Sequence, residues 1–78
     1  MNAQEAAEEI LRIYAKLDAR AALSEGNFFK NWPPDEIYRV EQIRQGVEYA
    51  LRTGLIEPRG EDYVLTLAGK NALQRIRP

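Results

Sequence analysis

The chain is 78 residues long, with 45% hydrophobic and 29% charged residues: one small domain, too apolar to remain disordered. It contains neither cysteine nor histidine, which excludes a disulfide framework and thiolate metal sites and removes the commonest general base. Eleven basic against twelve acidic residues leave a net charge of −1, so no bulk positive field draws the chain to nucleic acid.

No apolar run approaches the roughly 20 residues of a membrane span, and the first residues are acidic rather than the basic start of a signal peptide. The expectation is a compact binding module of the cytoplasm, not a membrane protein. Paired carboxylates such as Glu8-Glu9, Asp35-Glu36 and Glu61-Asp62 are sequence neighbours that diverge on a helix or fall in a polar turn. The hydroxyls of Ser24, Thr53 and Thr66 have no base near them in sequence, and there is no glycine-rich phosphate loop. Neither enzymatic activity nor a cofactor is expected.

The first element reads as an amphipathic helix from about Ala3 to Leu23. Asn2 suits the N-cap and Glu5 the capping-box partner, while Ala3, Ala6, Ile10, Ile13, Tyr14, Leu17 and Ala21 form one apolar stripe. Gly26 and Asn27 supply its stop. Next comes the aromatic stretch Asn27-Phe28-Phe29-Lys30-Asn31-Trp32, either a short helix or an extended plug. Phe28, Phe29 and Trp32 share a helical face, which favours the short helix, and the cluster suits a core or a dimer surface.

Pro33-Pro34 ends that stretch, and Pro34 suits the first turn of a new helix running to about Thr53, with Asp35 and Glu36 near its positive end. Ile37, Val40, Ile43, Val47, Ala50 and Leu51 step by threes and fours and are expected to be its buried face. Gly46 lies off that stripe; at a cost of about 1 kcal/mol relative to alanine it marks a bend or a close approach of another backbone. Gly54 is the expected C-cap.

The period then changes. Leu55-Ile56-Glu57 and Tyr63-Val64-Leu65 are β-prone triplets around the polar turn Pro58-Arg59-Gly60-Glu61-Asp62, which is the pattern of a hairpin. Thr66 caps a last helix from Leu67 to about Ile76, with Leu67, Ala68, Ala72, Leu73 and Ile76 as its buried side. The fold class is therefore mainly α with a small β-hairpin, an α+β chain in the order helix-helix-helix-strand-strand-helix.

Ala50-Leu51-Arg52-Thr53-Gly54-Leu55-Ile56, followed by Tyr63-Val64-Leu65-Thr66-Leu67-Ala68-Gly69, resembles the end of the recognition helix, the wing and its return in winged helix-turn-helix regulators of the MarR-like and PadR-like kind. The likeness covers about residues 40 to 76. It implies a winged helix-turn-helix DNA-binding protein in transcriptional control, a homodimer formed through the terminal helices. Upstream, three arrangements stand open: a second helix at Asn27 to Trp32 with Pro33-Pro34 as the turn, a turn near Tyr38 to Val40, or no true helix-turn-helix.

On the long helix Tyr38, Gln42, Gln45 and Tyr49 face away from the apolar stripe, with Arg39 and Arg52 at the edges. In a major groove Gln42 and Gln45 would read adenine edges, and Arg39 or Arg52 would take guanine or phosphate. Arg59 at the turn of the hairpin would reach a minor groove. Double-stranded DNA is the expected partner, with Arg39, Gln42, Gln45, Tyr49, Arg52 and Arg59 as its contacts. Opposing this, Arg44 and Arg52 each face Glu48 at four-residue spacing, Glu41 lies three residues before Arg44, and Glu57, Glu61 and Asp62 surround Arg59. The alternative is a protein-protein interaction module without DNA binding, with Tyr38, Tyr49 and Trp32 as anchors and Phe28 and Phe29 beside them in the interface, residue types enriched at interfaces.

Overall fold

The computed structural model describes residues 1–34 and 37–76. The chain forms four helices and an antiparallel hairpin in the expected order: α1 (Ala3–Leu17), α2 (Glu25–Lys30), α3 (Arg39–Arg52), β1 (Ile56–Arg59), β2 (Asp62–Leu65) and α4 (Leu67–Ile76). Asp35 and Glu36, expected in the first turn of the third helix, lie outside the described residues.

α1 starts as its sequence requires. Glu5 N–H donates to Asn2 Oδ1 (2.8 Å) and Asn2 N–H donates back to Glu5 Oε1 (2.9 Å), a complete capping box. It stops at Leu17 rather than at Leu23. Asp18 is extended, and its side chain accepts from Arg20 N–H (2.9 Å), the local competition by which aspartate diverts a backbone from helix. Residues beyond then run out to Leu23, which bridges Tyr63 by two backbone hydrogen bonds of 2.9 Å and so adds a rung to the free edge of β2. That long-range pairing leaves no helical hydrogen bond for Leu23.

α2 begins earlier than the aromatic stretch because Ser24 caps it: Asn27 N–H donates to Ser24 Oγ (3.2 Å), and Ser24 N–H donates to Asn27 Oδ1 (2.9 Å). Gly26 and Asn27 are thus inside a helix and do not terminate the preceding one. α3 begins at Arg39, so Pro34 stands outside it and Ile37 and Tyr38 belong to the turn before it. A separate short helix precedes α3, as in the first arrangement but at Glu25–Lys30, and the turn before α3 includes Tyr38, as in the second.

α3 ends in a Schellman motif. Leu55 N–H donates to Ala50 O (2.8 Å) and Gly54 N–H to Leu51 O (3.2 Å), with Gly54 at φ +74°. The hairpin pairs Ile56 with Leu65 through to Arg59 with Asp62, leaving the two-residue connection Gly60-Glu61. Its strands are longer and its turn tighter than the sequence suggested, because Gly60 takes positive φ (+62°) at the first turn position, where two-residue hairpins favour glycine. Thr66 Oγ1 accepts from Gly69 N–H (3.0 Å) and caps α4, while Thr66 N–H donates to Leu55 O (3.1 Å) and ties the helix to the hairpin.

The core is built around α1, which is buried on a broader arc than its expected stripe: Ala7 and Leu11 are covered as well as Ala6, Ile10, Ile13 and Tyr14. Against it lie Leu23, Phe28, Trp32, Ile43, Val47, Ala50, Ile56, Leu65 and Leu73. Phe28 meets Tyr14 edge-on (5.9 Å between centroids) and stacks with Tyr63 (6.4 Å). The Tyr14 hydroxyl donates to Tyr63 O at the rung that joins Leu23 to β2.

Two helices are turned relative to their sequence-read faces, each for the same reason. Gly46 packs on Ala6 of α1 so closely that a Cβ there would lie 2.9 Å from the Ala6 carbonyl carbon. Gly46 is therefore buried, at the middle of the α3 contact face rather than off it. With 3.6 residues per turn, the buried set Ile43, Gly46, Val47 and Ala50 centres about 60° away from the Ile37-to-Leu51 stripe. Ile43, Val47 and Ala50 stay inside, whereas Ile37 and Val40 are exposed. In α4 a Cβ on Gly69 would lie 2.0 Å from the Leu55 carbonyl oxygen. The contact side is then Gly69 and Leu73 with half-buried Ala72 and Ile76, and Leu67 and Ala68 face outward instead of lying in the buried side.

Candidate interaction surface

The outward side of α3 carries Glu41, Arg44, Gln45, Glu48 and Arg52, all exposed. Arg44 sits 3.9 Å from Glu41 and Arg52 sits 4.0 Å from Glu48. Arg44 reaches back to Glu41, and no Arg44–Glu48 pair forms among the described residues. Exposed pairs of this kind contribute little to stability. They do leave the outward side of the helix with balanced charge.

The rotation of α3 separates the residues expected to read DNA. Gln45 remains on the outer surface. Gln42 is half-buried, and its Oε1 is fully covered with no hydrogen-bond partner among the described residues, so its carbonyl does not face a groove. Tyr49 is half-buried and packs against the core, lining a groove with Gln4 and Leu11 of α1 and Ala72 of α4. Arg52 lies 5.8 Å from its ring centroid. Arg39 is half-buried: its guanidinium is 4.8 Å from the Phe29 ring centroid, and Nη1 is 3.5 Å from the Phe29 carbonyl oxygen. Arg59 is exposed at the end of β1, with no ion pair among the described residues.

The residues expected at a protein interface also divide. Phe28 and Trp32 are core, so neither is an interface residue. Phe29 does not follow them inward; it lies on the outer side of α2, because a six-residue helix that buries Phe28 must turn the next side chain away by about 100°. Phe29 is 43% exposed and Tyr38 65%. They are joined by two residues the sequence reading had assigned to the core, Ile37 at 82% and Val40 at 58% exposure.

These four form a continuous surface. Phe29, Ile37, Tyr38 and Val40 line one shallow depression together with Arg39 and Glu41. Phe29 and Val40 also line the adjoining one with Glu25, Gly26, Arg44 and, at its floor, Ile43. The signal that would have found Val40 in the sequence is Gly46: a glycine kept within a long helix marks the contact line, and Val40 lies off that line.

No family model, curated protein or solved structure matches the chain. Among the described residues no three histidine, cysteine, aspartate or glutamate side chains gather as a metal site, and no helix is long and apolar enough to cross a membrane. The chemistry concentrated on this surface is apolar contact with a charged rim.

Proposed function

We propose that the chain is a winged-helix domain that works as a protein-docking module through the α2–α3 surface of Phe29, Ile37, Tyr38 and Val40. The hairpin between α3 and α4, together with the order of the helices, supports the winged-helix reading. One observation carries the docking reading: four of the eight bulky apolar side chains that are exposed among the described residues gather beside the start of α3, while the outward side of that helix is charge-balanced. The largest apolar patch of a soluble domain, typically a few hundred Å², is often functional, and a groove-reading helix needs free cations or base-reading amides.

A photo-crosslinking residue at Tyr38 tests this directly. The expected result is a discrete protein adduct from position 38 and none from Gln45, which is exposed on the outward side of α3. Adducts of equal yield from both positions, or from neither, would refute the docking surface.

DNA binding is the second reading, favoured by Arg59, exposed and without an ion pair at the hairpin end, and by Gln45 and Arg52 on the outer side of α3. Fluorescence anisotropy with random duplex at low salt separates the two. Binding that weakens steeply with salt, and weakens further in Arg59→Ala, would select DNA; a flat signal selects docking.

A further inference from the structure

We infer that the occupant of the α2–α3 surface is a second copy of this chain; the inference rests on the docking reading and names its partner. The first ground is area. At the exposures given above, and at roughly 150–220 Å² for each residue fully exposed, Phe29, Ile37, Tyr38 and Val40 present about 450 Å² of largely apolar surface. That is about a tenth of the 4993 Å² total, the share a specific interface takes from a small protein. Two such faces with their rims reach the lower end of the range buried by stable complexes, roughly 1,200 Å² in total.

The second ground is charge. The residues that rim both depressions are Glu25 and Glu41 against Arg39 and Arg44, equal numbers of each sign. A partner of strong net charge finds nothing complementary there. A copy related by a twofold axis does, because an isologous contact sets each rim against its own mirror set of opposite charges around a shared apolar centre. The third ground is size: at 78 residues a single core leaves stability marginal, and association covers apolar surface that folding has left exposed.

Sedimentation equilibrium and ¹⁵N-resolved dilution spectra of the whole chain test the inference. The expected result is a monomer–dimer equilibrium in the micromolar range that changes little with salt, since the rim is balanced. Amide shifts on dilution should concentrate between Phe29 and Arg44. Each substitution occurs twice in a twofold interface, so Val40→Asp, costing about 10-fold per copy, should weaken the dimer by about 100-fold. Ile37→Ser should weaken it in the same direction with an unchanged melting curve. A chain that stays monomeric to about 1 mM overturns the inference, as does a dimer indifferent to both substitutions with dilution shifts on α1 and α4. Monomeric behaviour with a Tyr38 crosslink to a different protein overturns self-association and leaves the docking reading standing; duplex binding with no crosslink at position 38 overturns both.

Discussion

Replacing Gly46 with alanine tests the contact that sets the rotation of α3, and through it the exposure of Val40. The added Cβ would sit 2.9 Å from the Ala6 carbonyl carbon, 3.0 Å from Ala6 Cβ and 3.0 Å from Ala6 O. Two of these neighbours are backbone atoms of α1, which cannot swing aside, so the helix axes must separate. Overpacking of this kind costs about 1–3 kcal/mol. Removing a glycine from a helix interior returns about 1 kcal/mol. Against backbone atoms the upper part of the overpacking range applies, about 2–3 kcal/mol. The net expectation is a loss of about 1–2 kcal/mol, or a melting temperature lower by roughly 5–15 °C for a chain of this size. Thermal melts followed by circular dichroism give the answer, with Gly26→Ala as the comparison. There the nearest atom is the flexible Ser24 Oγ at 3.4 Å, so only the helix-propensity gain of up to about 1 kcal/mol should appear. If Gly46→Ala melts at or above the wild type, α1 and α3 do not meet at that glycine, and the rotation that exposes Val40 loses its cause.

Tyr14 gives a prediction in pH. Burial, ahead of the nearby Asp62 and Tyr63, pushes its phenol well above the usual 10.0, against a smaller opposing effect of a backbone hydrogen bond at Leu23. The unfolded chain releases this proton near pH 10 while the folded chain keeps it, so the contribution is complete below pH 10 and is lost as pH rises further, at up to about 1.4 kcal/mol per pH unit. Urea unfolding of Tyr14→Phe should show a flatter decline above pH 10 than the wild type. At neutral pH it should lose about 1 kcal/mol, because Tyr63 O still accepts from Leu23 N–H. Gln42→Leu should be neutral or stabilising by about 1 kcal/mol in the same assay, since it removes a buried carbonyl oxygen without a partner; a loss of more than about 1 kcal/mol would mean that oxygen is bonded. Phe28→Ala should cost about 3–5 kcal/mol and Phe29→Ala less than about 1 kcal/mol, a contrast that denaturant midpoints resolve and that near-equal losses would contradict.

The hairpin and α4 were legible because their signals are local. Gly54 and Gly60 supply the two positive-φ positions, and Thr66 both caps a helix and closes a strand. The ends of α1 and the start of α2 were less so. Ser24 is a capping residue in plain view, but choosing it over Gly26 and Asn27 depends on Leu23 pairing with Tyr63 across the fold. The interaction surface was half legible. Phe29 and Tyr38 were recognised as interface aromatics, yet Phe28 and Trp32, of the same residue type and stretch, proved to be core.

Sequence alone determined the order of helices and strands and the place of the hairpin turn. Tertiary structure decided which bulky apolar residues stayed outside. Hydrophobic attraction is non-directional and would accept several rotations of α3 and α4, whereas a helix crossing admits a second backbone only where side chains vanish. Gly46 on Ala6 and Gly69 on Leu55 select the rotation, and Val40 and Leu67 are exposed as a consequence.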